Sequence, residues 1–412
     1  MYRQVTECRI CGGEGLDVLL ELGTQFLTGV FPHRPDERLT KGPLTLARCD
    51  NCGLVQLLYS YEQAELYGPH YGYRSSLNRR MVSHLEDKAR VLARAVDLRP
   101  GDAVVDIGSN DGTLLSFFSG RQLTLLGFDP SAARWRGGYP TDSRLIDDFF
   151  SADLCRGALG QRKARIVTSI AMFYDLERPL DFAHEVADVL ADDGIWHLEQ
   201  SYLPAMLRVN AYDTICHEHV EYYALAQIKW LADKVGFAIL DVECNDANGG
   251  SFAVTLGRPR RTGQDCRARV ERLLDEERRA GFGSLRPFEE FRARVLAHKR
   301  ELRERLEDIR ARGERVLGYG ASTKGNVILQ FAGIDRDLLP AIAEVNEDKF
   351  GCVTPGTWIP IISEADARAR KPDYFLVLPW HFRTGIVERE AAYLAAGGRL
   401  LFPLPSIDVV SA

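Results

Sequence analysis

The stretch RPGDAVVDIGSNDGTLLSFF, residues 99–118, narrows the fold more than any other part of the chain. It reads as an apolar strand ending at Asp106, a glycine-rich turn and the start of a helix. About 20 residues on, LTLLGFD is a second apolar strand that closes on Asp129, a spacing that fits a parallel α/β sheet with a nucleoside at the strand ends. Gly108 and Gly112 let the backbone approach a ligand, and Asp129 is placed to accept hydrogen bonds from both hydroxyls of a ribose. The turn spells GxNxG, with Asn110 at its centre, and is therefore not the GxGxxG of dinucleotide sites. A purely structural turn is the alternative.

The alternation of strand and helix continues to residue 257. RIVTSIAMFYDL is a strand followed by a loop holding Met172, Tyr174 and Asp175; a helix over 179–190 and the strand DGIWHLEQSY come next. Then the stretch DTICHEHVEYY, Asp213–Tyr223, crowds two histidines, acidic groups, a cysteine and two tyrosines between that strand and an amphipathic helix over 224–235. Histidine titrates near neutrality, so such a cluster can move protons, although a polar connecting loop with satisfied histidines would look similar. Ligands of open parallel sheets bind beyond the carboxyl ends of the strands. Asp106, Asp129, the 172–175 loop and the His217–His219 segment are all expected there. The string is H-E-H and not H-E-x-x-H, which argues against a zincin-type metal site. CNDANGGSFAVTLGRP then supplies a glycine-rich hairpin turn that carries Asn248.

The remaining chain is read around this unit. Cys8 and Cys11 in CRIC and Cys49 and Cys52 in CDNC are two CxxC pairs, each followed by Gly. Four thiolates so arranged make a closed tetrahedral zinc site that staples a module too short for a large core; buried free cysteines and an iron–sulfur cluster are the alternatives. The net charge of −6 argues against a general nucleic-acid grip. No apolar run approaches the roughly 20 residues needed to span a bilayer, and MYRQVTECRICGG lacks a signal-peptide core, so a cytoplasmic protein is expected. The aromatic stretch YGPHYGYRSS, with Tyr71 and Tyr73, reads as a lid, a substrate wall or a surface turn. Residues 264–312 form charged helices with glutamates interleaved among the arginines, a solvated face and not a nucleic-acid helix.

A second α/β unit starts near residue 313. ERVLGYGASTKGNVILQF is strand, glycine turn and helix; Gly318, Gly320, Ser322 and Thr323 offer backbone amides to a phosphate, with Lys324 beside them. Glu344 and Asn346 end the next strand, and a later one ends at LPWHF, where Trp380 either stacks on a base or fills core beside His381. A structural domain without a phosphate is the alternative. The predicted domains are a zinc module over 1–67, an α/β domain over 68–257, and a helical linker with a nucleotide-binding α/β domain over 258–412. A monomer is expected, since no heptad or repeat interface is evident.

VVDIGSNDG resembles motif I of class I S-adenosylmethionine methyltransferases. Together with the four cysteines, CHEHVEYY, GYGASTKGN and LPWHF, in that order, it makes the whole chain resemble the sugar C-methyltransferases that act on nucleotide-linked 4-keto-6-deoxyhexoses in antibiotic and surface-glycan pathways. The resemblance implies a zinc module, a class I methyltransferase domain with a Rossmann-like sheet, and a C-terminal Rossmann-like domain for a sugar nucleotide, most often dTDP-linked. It places S-adenosylmethionine against Asp106, Gly108, Asn110, Gly112, Asp129 and Met172. It makes His219 the base, with Glu218 as its neighbour; beyond the resemblance, a donor near the enolate is expected from His217, Tyr222 or Asn248. Tyr71, Tyr73, Tyr174, Asp175, Asn248, Gly320, Ser322, Lys324, Glu344, Trp380 and His381 fall to the substrate. Two positions depart from the family: Cys216 stands where a tyrosine is common and Asp175 where members methylating C-3 have a histidine, which leaves C-3, C-5 and a different sugar all open.

The expected chemistry removes a proton from a carbon next to the C-4 ketone and lets the enolate carbon take the methyl group. An O- or N-methyltransferase on a similar nucleotide sugar, and a non-catalytic zinc-stabilised binding protein, are the rival readings.

Overall fold

The computed structural model describes residues 1–67, 73–260 and 263–412. Residues 103–257 build a seven-stranded sheet whose strands, in spatial order, are Ser143–Ile146, Thr124–Phe128, Ala103–Ile107, Ala164–Ile170, Leu190–Ser201, Ser251–Gly257 and Ala238–Asn245. Counted along the chain this order is 3-2-1-4-5-7-6, and the seventh strand runs antiparallel to its neighbours. Ala103–Ile107 is buried at every position, which is why AVVDI carries no alternation: a parallel strand covered on both faces needs none. Spatial order reverses between Ala103–Ile107 and Ala164–Ile170, and at such a switch point a crevice opens at the carboxyl ends.

Helix Arg79–Ala95 covers one face. Asn78 caps it by accepting from Arg80 N at 3.0 Å and Met81 N at 3.3 Å. Its Leu85, Ala89 and Leu92, spaced to share one side of a helix, pack on Val104, Ile166 and Ile195. Helices Pro179–Val189 and Leu225–Lys234 cover the opposite face, against Val105, Val167, Trp196 and Leu198.

The N-terminal residues form an antiparallel sheet of Leu16–Phe26, Lys41–Cys49 and Val55–Leu57, and its fourth member is Glu221–Tyr222, from the histidine-rich stretch. A two-residue strand pairing across more than 160 positions has no local signature, so the sequence reading left this stretch inside the central domain. The C-terminal sheet, counted along the chain from Val316–Tyr319, has the order 3-2-1-4-5-6 with an antiparallel last strand. Its first strand leads into helix Thr323–Ala332, capped by Ser322 Oγ accepting from Gly325 N at 3.0 Å.

The two charged helices divide their loyalties. Gln264–Arg279 lies on the central domain, where the buried Glu277 accepts from Leu225 N at 2.6 Å and Ala226 N at 3.1 Å, capping helix Leu225–Lys234. Arg286–Ala311 buries Phe288, Phe291, Val295, Leu302, Leu306 and Ile309 in the core of the C-terminal domain. Among the described residues no helix is long and apolar enough to cross a membrane.

Candidate active site

The glycine turn after Ala103–Ile107 is a strained backbone held in place by side chains. Gly108 has φ +74, and a Cβ there would lie 2.9 Å from Met172 Cγ, so this position admits glycine alone without movement of the neighbouring loop. Asn110 also has positive φ, at 50°, and its side chain explains the choice: Oδ1 accepts from Ser75 N at 3.0 Å and Nδ2 donates to Tyr73 O at 3.1 Å. Asp111 accepts from Ser76 N at 3.0 Å, so the YRSS segment is tied across the turn. Asp129 accepts from Asn110 N at 2.8 Å and from Ser131 N at 2.8 Å. Asp106 lies within the sheet, takes a 2.6 Å bond from Thr168 Oγ1, and is pushed up to about 7 by burial.

These groups line one end of a cavity of about 1340 Å³, counting the space open to solvent. Asp106, Gly108, Asn110, Asp129 and Met172 are in the wall at this end; Tyr73, Tyr174, Asp175, Gln200 and Asn248 are also in it. Tyr71 lies outside the described residues. Gly112 is not in the wall; it starts the short helix Thr113–Ser116.

The stretch 213–223 runs past Tyr174 and touches all three domains. The His219 ring lies 4.2 Å, centroid to centroid, from that of Tyr174. Its Nδ1 is 3.0 Å from Thr214 O, which places the ring proton on Nδ1 and leaves the lone pair on Nε2. Burial, reinforced by the Lys324 ammonium, pulls His219 down to about 3, so the ring is neutral. Its neighbours turn elsewhere. His217 is fully buried, with Nδ1 3.3 Å from Thr28 Oγ1 and its ring edge-on to Tyr61 at 4.6 Å. Glu218 faces Gly29 so closely that a Cβ there would meet its Oε1 at 1.9 Å, and burial raises its carboxyl. Tyr222 sits in the sheet shared with the N-terminal domain, with its hydroxyl 3.5 Å from Thr214 O. Cys216 is buried.

The C-terminal domain reaches the cavity through Asn248. Lys324 Nζ donates to Asn248 O at 2.8 Å, and Trp380 lies against Gly249 while its Nε1 donates to the buried Asp213 at 2.7 Å. That bond, with only 6% of Trp380 exposed, makes the indole a link between domains. His381 is held well below the ordinary imidazole range by burial and by Lys324 and Arg80. Glu344 is occupied by its own surroundings: Oε2 accepts from Ala321 N at 2.8 Å, just past Gly320, and Oε1 from Asn346 N at 2.9 Å.

Sequence reading passed over a second polar cluster at the cavity. Glu199, on Leu190–Ser201, is 2.5 Å from His84 Nε2 and 2.8 Å from Lys88 Nζ. Burial alone would raise this carboxyl, but the His84 hydrogen bond and the Lys88 ammonium pull it down to about 2. The adjacent Gln200 was also missed. The signal was present: in WHLEQS the apolar strand turns polar at its carboxyl end, where ligands of a parallel sheet lie.

The four cysteine sulfurs all lie within 4.8 Å of one another, with Cys8 and Cys52 3.4 Å apart and Cys11 and Cys49 3.6 Å apart. Thiolates bound tetrahedrally at 2.3 Å from zinc are about 3.8 Å apart, so the donor set fits that ion. Backbone turns shape it: Gly12 N donates to Cys8 O and Gly53 N to Cys49 O. Four protein ligands leave no open position, which makes the site structural.

Comparison with known proteins agrees with this layout. A family described as "Putative zinc binding domain" matches residues 8–67, one described as "Methyltransferase domain" matches 77–242, and one described as "C-methyltransferase C-terminal domain" matches 246–405. The C-methyltransferase NovU of Streptomyces niveus is 31% identical over 417 residues, covering all of this chain and 98% of that relative. Among solved structures, an O-methyltransferase family protein from Burkholderia thailandensis aligns with 46% of this chain and 60% of its own, at 15% identity and TM-score 0.34. The plantazolicin methyltransferase BpumL, solved with S-adenosylhomocysteine, aligns with 44% of this chain and 85% of its own, at 12% identity and TM-score 0.35.

The 3-2-1-4-5-7-6 sheet with its glycine turn and strand-end carboxylates defines an enzyme of the class I S-adenosylmethionine-dependent methyltransferases. Within that class, the chain belongs to the C-methyltransferase family that includes NovU.

Proposed function

We propose that this enzyme methylates a carbon next to the C-4 ketone, C-3 or C-5, of a nucleotide-linked 4-keto-6-deoxy sugar, with His219 as the base. The observation that carries this reading is the neutral His219 ring packed at 4.2 Å and a 56° tilt against Tyr174, a residue in the wall of the same cavity as the glycine turn. S-adenosylmethionine, held by Asp106, Gly108, Asn110, Asp129 and Met172, supplies an electrophilic methyl group. The rest falls to the side chains. Nε2 of His219 takes the proton from the sugar carbon, which the neighbouring ketone acidifies because the carbanion delocalises onto oxygen.

A ring held at about 3 is a weak base. The diphosphate of the sugar nucleotide, arriving beside Lys324, offsets the smaller of the two influences that depress it, burial being the larger. Arg80, Lys324 and His381 supply cationic or donor groups for that diphosphate. Of the three candidate donors to the enolate oxygen, Asn248 lines the cavity, whereas His217 and Tyr222 are bonded within the interface with the N-terminal domain. Glu218 acts at one remove, fixing the peptide that carries His219. Tyr73 and Asp175 complete the substrate wall.

The test is NMR of the product formed from S-adenosylmethionine and a dTDP-4-keto-6-deoxyhexose. A new methyl on a quaternary carbon next to the carbonyl is expected. A methyl on oxygen or nitrogen, or no product, would overturn the reading.

A further inference from the structure

Gln200 is a polar side chain that the fold has gone to some expense to bury. It is 2% exposed, and neither its Nε2 nor its Oε1 has a hydrogen-bond partner among the described residues. A primary amide left in that state is destabilising, so a ligand is the natural claimant of both atoms. It lines the cavity from the carboxyl end of Leu190–Ser201, paired with Phe252 and followed by Ser201 and Ser251. Ala103–Ile107, which carries the glycine turn, is two strands away, about 10 Å across the sheet.

The nearer neighbours belong to the other end. On the loop after the adjoining strand, Asp175 lines the same cavity, and its Oδ1 also lacks a partner among the described residues. Burial holds that carboxyl well above the usual range, the Tyr67 hydroxyl opposing and the Glu218 and Glu221 carboxylates assisting.

We infer that Gln200, with Asp175, is a specificity-determining residue that hydrogen-bonds the polar ring substituents of the sugar and so sets which carbon faces His219. The inference rests on the proposed sugar substrate and deepens it. An amide offers one donor edge and one acceptor, the complement of a hydroxyl beside a carbonyl. A site built to bond such groups rejects a ligand that lacks them, because its own buried atoms are then left unpaired.

The experiment compares wild type with Gln200→Met, which keeps the volume and removes the amide, and with Gln200→Glu. Each is measured for KM toward a dTDP-4-keto-6-deoxyhexose, for S-adenosylmethionine affinity by calorimetry and for the position of the new methyl. KM is expected to rise at least about tenfold in Gln200→Met, with S-adenosylmethionine affinity within about twofold of wild type. An unchanged KM would overturn the inference. So would an equal loss of S-adenosylmethionine affinity, which would assign Gln200 to the cofactor. If Gln200→Met does not fold, Gln200→Glu decides by the same criteria. Wild type that methylates no sugar overturns the substrate reading and this inference with it; wild type that does, beside an unaffected variant, overturns this inference alone.

Discussion

His219 gives up one nitrogen to Thr214 O and keeps the other free of that bond, and the charge around it decides what the free nitrogen can do. Burial is the larger influence and Lys324 the next; both disfavour the imidazolium, so its pKa falls to about 3. A group with a depressed pKa stays in its basic form on the way down in pH until that lower value is reached. The profile of kcat/KM, which reports the free enzyme, is therefore expected to show no acid limb near the ordinary histidine value of about 6.5. Lys324→Met removes a cation that holds the ring down and should move the acid limb upward, toward neutrality. Steady-state rates between pH 5 and 8 check both. A wild-type limb near 6.5 that Lys324→Met leaves in place would contradict this account of the base. At the same scale, the sequence exposed the residue types well. It could not say that His217, two positions from His219, turns away to Thr28, because its fate is set by a turn some 190 residues earlier.

At the scale of elements, the 213–223 stretch is less a loop than a seam. Asp213 takes a bond from Trp380 of the C-terminal domain, Val220 N donates to Tyr174 O of the central domain, and Glu221–Tyr222 extends the N-terminal sheet. Gly29 lets that seam close. A methyl group at residue 29 would occupy the position of Glu218 Oε1, a carboxylate hemmed in by Thr28 and Cys216. Gly29→Ala should thus cost about 1–3 kcal/mol of stability and lower turnover by displacing the peptide that carries His219. Denaturant midpoints and kcat measured on one preparation check this, and full turnover in the variant would show that the seam tolerates the shift. Strands such as AVVDI and helices such as those over 179–190 and 224–235 were legible because burial on both faces or on one stripe leaves a trace in the apolar pattern. Gly29 left none: its smallness is required by a side chain almost 190 residues away.

Over the whole molecule, each domain brings a different part of the chemistry to one place. In the proposed reaction the central sheet would hold the methyl donor and the C-terminal domain would bring Lys324, which donates to Asn248 O, while the N-terminal sheet holds the strand that follows His219. Domain order could be read from CRIC, CDNC, VVDIGSNDG and GYGASTKGN, since each motif needs only its own neighbours to be recognised. The meeting of the three could not, because it depends on contacts between distant segments. The claim that unites them is that His219 removes a proton from a sugar carbon before any methyl is transferred. The direct measurement is solvent exchange: the enzyme, a dTDP-4-keto-6-deoxyhexose and S-adenosylhomocysteine are held in D2O, and the sugar is followed by NMR. Wild type is expected to wash deuterium into the carbon that is later methylated, and His219→Asn to slow this by about two to four orders of magnitude while binding S-adenosylhomocysteine normally. Exchange at the wild-type rate in His219→Asn would contradict the account.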